Sequence, residues 1–257
     1  MSQAAITVGP VLAVVLAALV LLAVAAALAG QLGVSRAVVS ASVRAVAQLA
    51  VVSLLIAAVL RSWWATAAFV TLMLLVAAAT SARRLGSWRL VRFAILPIAA
   101  GAVPAALVVI GAGTVPLTEV AVLPIAGILI GGAMTATSLA GRRALDELRN
   151  RHGEYEAALA LGFLPRDAAL EVCRPTAGQA LVPALDQTRT VGLVTLPGAF
   201  VGVLLGGGSA VQAGATQLLV LVALLAVEAI AIAVTVELVA RDRLTGVTRR
   251  GLRGPTG

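Results

Sequence analysis

The 257 residues are 61% hydrophobic and only 12% charged, with a mean hydropathy of +1.06, whereas a soluble domain is about 45–50% apolar and about 25% charged. The formal net charge of +8 comes entirely from arginine; these arginines flank apolar runs rather than lining one face, which excludes a nucleic-acid binder. One cysteine, Cys173, cannot form an intrachain disulfide, and with one histidine, His152, it cannot build a conventional zinc or iron site.

Seven apolar stretches predict an all-α polytopic membrane protein with about seven transmembrane helices. The first covers residues 8–29. No basic residue precedes it, and its 22 residues exceed the ~7–15-residue core of a cleavable signal. The second, 44–60, is short for a span and must borrow from its flanks. It carries Arg44 and Gln48 four residues apart on one helical face. Arg44 can snorkel to headgroups, while Gln48 lies deeper and calls for a partner in the bundle.

The third span is 63–82 and the fourth 93–111, with Pro97 and Pro104 as expected kinks. The fifth, 120–140, contains Pro124, a G-x-x-x-G pair at Gly127 and Gly131, and the polar groups of Met134, Thr135, Thr137 and Ser138. Those groups either contact a substrate or bond their own helix backbone. The sixth, 190–205, includes Pro197 and repeats the glycine spacing at Gly198, Gly202 and Gly206. Such glycines allow close helix contact, and packing inside one subunit is expected in preference to a dimer seam. The seventh, 216–239, holds Glu228 near its middle. An intramembrane carboxylate is costly, so Glu228 is a protonated structural group, is paired with Arg44 or Arg189, or lines a cation path. Glu237 falls near the inner interface, where solvation is expected.

Loops after the first, third and fifth stretches and the tail carry nearly all the loop arginines, and the other side carries only Arg61. Positive-inside bias then sets the N-terminus outside and the C-terminus in the cytoplasm. The permease domain is residues 1–240, with a cytoplasmic loop at 141–189. Residues 241–257 form a basic tail expected to be disordered and drawn to anionic lipid.

The long polar interval is the most distinctive segment. Residues 154–161 favour helix, Gly162 can stop it, and Leu164-Pro165 forces a turn before a second helix with Asp167 in its first turn. A helix-turn-helix knuckle follows, with Glu156, Ala157 and Ala158 spaced E-A-A-x-x-x-G from Gly162. Small residues permit close approach by another protein, although the same spacing suits an ordinary loop helix.

Four blocks resemble the FetB-type permease family of ABC transporters: VRAVAQL (43–49), LPIAGILIGGAMTATSLA (123–140), EAALALGFLPRDAA (156–169) and LVPALDQTRTVGLVTLPGAFVGVLLGG (181–207). The last is the most specific, through Pro183, Asp186, Thr190, Val191-Gly192-Leu193 and Leu196-Pro197-Gly198. Gly132 stands where the family carries Asn, Thr216-Gln217 replaces Tyr-Gln, and Glu228 is not a family feature. The resemblance implies a multi-pass permease of the bacterial inner membrane, not itself an enzyme, that exports iron or another small substrate. It implies a permease homodimer and a separate ATPase subunit that binds ATP and Mg and docks on the knuckle. This chain would then bind no cofactor, and its metal ligands are unknown. The sequence agrees on one point: without lysine no G-x-x-x-x-G-K-[ST] loop exists. The alternative is an ion-gradient carrier using Glu228 as a proton site, with half-helix breaks at Pro124 and Pro197.

Overall fold

The computed structural model describes residues 9–244. Val8 and most of the basic tail, from residue 245 on, lie outside the described residues. Every regular element among the described residues is helical. The chain divides into two packed units at Arg61.

The first unit is a helical hairpin. α1 (Pro10–Ala29) opens on a proline, which is harmless there because a first-turn N–H has no helical partner. A turn through Gln31 and Gly33, both with positive φ, leads to α2 (Ser35–Val59). α2 starts well before the expected residue 44, so its 25 residues reach about 37 Å, enough to span. Arg44 and Gln48 are both exposed on α2, and the partner expected for Gln48 is not found among the described residues.

The second unit is built on four long helices. They are α3 (Trp63–Arg84), α4 (Val91–Gly111), α5 (Glu119–Asn150) and α10 (Ala210–Ala240). Their contact faces are alanine-rich, with Ala78, Ala94, Ala133, Ala136 and Ala231 fully buried around Ile98. Small side chains let these helices approach closely, which is the packing available where lipid removes the hydrophobic drive between spans. Ser81 on α3 reaches the Met134 carbonyl at 3.1 Å and the Ser138 hydroxyl at 3.1 Å on α5. Pro97 and Pro104 sit inside α4 without interrupting it. α5 has 32 residues, about 48 Å, and so outruns a ~30 Å hydrocarbon core.

Two expectations need correction. Of the glycines expected to allow close contact, Gly127 lies against Met73 of α3, where a Cβ would be 2.8 Å away, but space beside Gly131, Gly198 and Gly202 is open and Gly206 meets only its own helix. The tight crossings use Gly101, where a Cβ would lie 2.5 Å from the Val227 carbonyl oxygen of α10, and Gly141, against Leu85. The continuous sixth span over 190–205 also does not form. α8 (Val182–Thr190) ends where Val191 turns extended. Gly192 adopts φ +83°, its N–H bonds the Thr195 carbonyl at 2.9 Å, and Pro197 precedes α9 (Gly198–Leu205). A left-handed glycine and a proline five residues on cannot both sit inside one helix. Among the described residues six helices are therefore long and apolar enough to cross a membrane, with the broken α8–α9 pair in place of the expected sixth span.

Between α5 and α8 the polar interval folds as helix, turn, helix. α6 (His152–Ala160) stops at Gly162, which has φ +91°. α7 (Pro165–Ala177) then starts on its proline. A short 3₁₀ turn (Gly178–Leu181) joins α7 to α8.

Candidate functional site

Two regions of the second unit gather functional chemistry. The first is a cleft of about 270 Å³ between α5, α8 and α10. α5 contributes Gly131, Gly132 and Thr135, α8 contributes Pro183 and Gln187, and α10 contributes Glu228. α5 lines the cleft with two successive glycines: space beside Gly131 is open, and Gly132 faces α10. A Cβ on Gly132 would lie 3.1 Å from Glu228 Oε1 and 2.5 Å from Leu224 Cδ2, so the Glu228 side chain occupies the volume that a larger residue would take. The Thr135 hydroxyl bonds back to the Gly131 carbonyl at 3.1 Å.

Glu228 is half-buried and is the only ionisable residue lining the cleft among the described residues. Arg189, one candidate partner, turns instead to Asp186 at 3.5 Å. A carboxylate, a carboxamide and a hydroxyl on one apolar wall form an oxygen-rich donor set suited to a hard cation or a proton. No group of three or more His, Cys, Asp or Glu that could hold a metal occurs among the described residues.

The second region is the knuckle. α6 buries none of its residues, and its tip exposes Leu161 (80%), Phe163 (46%) and Leu164 (67%). Glu156, Ala157 and Ala158 lie on this surface helix, with Glu156 Oε1 3.2 Å from His152 Nε2. The base is fixed more firmly. Arg151 donates to Glu154 at 2.8 Å and to the Val172 carbonyl at 3.2 Å, joining α5, α6 and α7. This pairing holds the Glu154 carboxyl below its usual range. The buried Cys173 thiol points at the Ala144 carbonyl at 3.6 Å, and burial pushes its pKa up to about 11.

One clamp ties the knuckle to the last long helix. Arg166 grips Glu237 bidentately at 2.6 and 2.8 Å, and Asp167 accepts a further bond from Arg166 at 2.7 Å. Arg241 bonds the same Glu237 at 2.6 Å. Glu237 is thus ion-paired, not simply solvated. Sequence reasoning missed Arg151, Arg166, Glu237, Gln187 and the apolar tip. Helical spacing could have flagged Glu237–Arg241 and the pairs of Arg151 with Glu147 and Glu154; it gives no sign of Arg166–Glu237.

The other expected residues scatter. Met134 gives its carbonyl to Ser81 and Ser138. Asp186 and Thr190 close the end of α8, where the Thr190 hydroxyl bonds the Asp186 carbonyl at 2.9 Å. Gly192, Pro197 and Gly198 form the break itself. Pro124 and Gly127 lie in the first turns of α5. Arg44 and Gln48 belong to the separate first unit.

A segment of 106 residues is 40% identical to Protein ALUMINUM SENSITIVE 3 of Arabidopsis thaliana, covering 41% of this chain and 39% of that protein, so the match spans less than half of the plant relative. The UPF0014 membrane protein YjkA of Bacillus subtilis is 30% identical over 197 residues, covering 73% of this chain and 76% of YjkA. The probable iron export permease protein FetB of Escherichia coli is 31% identical over 128 residues, covering 50% of this chain and 49% of FetB. No solved structure matches. The model of the Uncharacterised protein family (UPF0014) matches residues 11–244, from α1 to beyond α10, and the chain belongs to that family.

Proposed function

We propose that the chain is the membrane permease subunit of an ATP-binding cassette transporter, exporting a small substrate such as iron or another metal ion. The observation that carries this reading is the knuckle. It is a surface helix with an apolar tip, packed on α7 and clamped at its base to α5 and α10, the two helices that also wall the cleft. A separate ATPase subunit, which binds ATP and Mg, docks on Leu161, Phe163 and the Glu156 face. Its closure pushes through Arg151 on α5 and through the Arg166–Glu237 clamp on α10. Those helices then shift against α8, hinged at Gly192, Pro197 and Gly198, and alter access to the cleft. In this reading α8, the turn after it and α9 together make a seventh, interrupted crossing. The N-terminus then lies outside and the knuckle in the cytoplasm, as the arginine bias requires, in the bacterial inner membrane. The open glycine face of α9 suits a second copy of the chain.

Co-expression with a candidate ABC ATPase subunit, purification of the complex and measurement of ATP turnover test the docking. Leu161→Asp with Phe163→Asp, and separately Glu156→Arg with Gly162→Trp, are expected to abolish both complex and turnover. If both pairs leave them unchanged, the knuckle is not the docking element.

A second reading, an ion-gradient carrier with Glu228 as its proton site, is favoured by the absence of an ion-pair partner for Glu228 among the described residues. Transport that persists without ATPase, collapses with an uncoupler and is lost in Glu228→Gln would select it.

A further inference from the structure

At the arginine-rich end of the bundle, a groove of about 490 Å³ runs between the start of α4, the start of α7 and the end of α10. Its lining combines apolar side chains, Phe93 and Leu96 from α4 and Leu238 from α10, with the basic Arg166, Arg241 and Arg243. We propose that this groove binds an anionic phospholipid, its headgroup phosphate held by Arg243, Arg241 and the neighbouring Arg92 and its glycerol and upper acyl chain lying on Phe93 and Leu96.

Charge supports this ligand. Arg166 and Arg241 converge on one carboxylate, Glu237, and Asp167 is engaged by Arg166. Arg92 and Arg243 both place their guanidinium over the ring of Phe93, at 4.7 and 5.8 Å from its centre. Two guanidinium groups drawn to the same ring repel each other, and an anion bound by both would relieve this. Guanidinium presents the planar fork that phosphate oxygens match.

The apolar wall argues for a lipid over a free anion. Leu96 is 47% exposed on a helix apolar enough to cross a membrane, so the groove joins basic groups to a surface that acyl chains would cover. Only an amphiphile with an anionic head satisfies both. The site is independent of the docking and cleft readings. It has one link to them, because Arg166 both lines the groove and grips Glu237.

The test is native mass spectrometry of the full chain released from detergent after exchange with short-chain phosphatidylglycerol or phosphatidylcholine, alongside inorganic phosphate. One phosphatidylglycerol per chain is expected to be retained in preference to phosphatidylcholine. Arg92→Gln with Arg243→Gln should weaken retention about thirtyfold, the weight of two arginines near an anionic surface. Arg243→Gln alone should give an intermediate loss, and the distant Arg149→Gln none. These arginines are exposed, and an unchanged melting temperature without lipid checks that the double variant is folded; if it is not, Arg243→Gln alone decides. Equal retention of the two lipids, or phosphatidylglycerol held as well by the variants as by the parent, overturns the proposal. So does inorganic phosphate that binds as tightly as the lipid, since the apolar wall would then have no role.

Discussion

Glu228 and Glu237 share α10 but not their circumstances. Nine residues of helix turn the second carboxylate to the face opposite the first and move it about 13 Å along the axis. Glu237 is saturated by Arg166 and Arg241 and belongs to the anchor of the knuckle. Glu228 has no arginine, lies over a glycine that leaves it room and faces an open cleft. One helix therefore carries a satisfied charge where rigidity is needed and an unsatisfied one where a ligand could bind. A charge already paired has little to gain from a substrate. An unpaired carboxylate in an apolar wall gains most from a cation or a proton.

The contrast depends on how α10 is seated, and Gly101→Ala would break it most severely. The added Cβ would lie 2.5 Å from the Val227 carbonyl oxygen, and backbone cannot swing away as a side chain can. Overpacking of this kind costs about 1–3 kcal/mol. Thermal unfolding in detergent should show a larger drop than Glu237→Ala, Cys173→Ser or Glu228→Gln would give. Gly132→Ala, which meets only side-chain atoms of Leu224 and Glu228, should be milder.

Glu237→Ala acts on the anchor alone. It leaves Arg166 and Arg241 facing each other across a gap, and a melting-temperature loss of about 3 °C is expected, as for a modest change in a chain of this size. ATP turnover of the complex should fall while the cleft keeps its substrate affinity. A fall in affinity would mean that the two carboxylates are not separable.

Much of this architecture was legible because hydropathy and arginine spacing are local properties. The long helices and the helix-turn-helix at Gly162 and Pro165 both come from neighbouring residues. The clamp was not legible, since Arg166 and Glu237 meet across 71 positions. The broken sixth span was misread for a different reason. Residues 190–205 are apolar enough to span, and hydropathy does not weigh the left-handed turn at Gly192 or the donor lost at Pro197. Glycine spacing misled in the same way: G-x-x-x-G marks a smooth helix face but not what lies against it. Gly101, outside any such pair, makes the closest crossing.

The base of the knuckle can be probed more gently through Cys173. With its thiol 1% exposed and its pKa pushed up to about 11, only about a thousandth is thiolate at pH 8. Maleimide labelling of the folded protein should be negligible at that pH and rise with pH, while unfolding should expose the thiol at once. Rapid labelling of the folded chain would mean that α7 separates from Ala144, and the anchor would no longer contrast with the cleft. Cys173→Ser keeps a donor toward that carbonyl and should cost about 1 kcal/mol.

Glu228→Gln is expected to change stability least and transport most. The substitution keeps the shape and removes the charge, and no arginine is left unpaired because none was paired. The melting temperature should hold or rise slightly, since an apolar wall favours the neutral amide. Metal efflux from proteoliposomes containing the ATPase should fall at least about tenfold, the loss of one charged ligand, while ATPase binding stays intact. A variant that transports normally would make Glu228 a structural residue tolerated beside Gly132. A variant that melts several degrees lower would mean that its carboxylate is already satisfied, and the contrast with Glu237 would disappear.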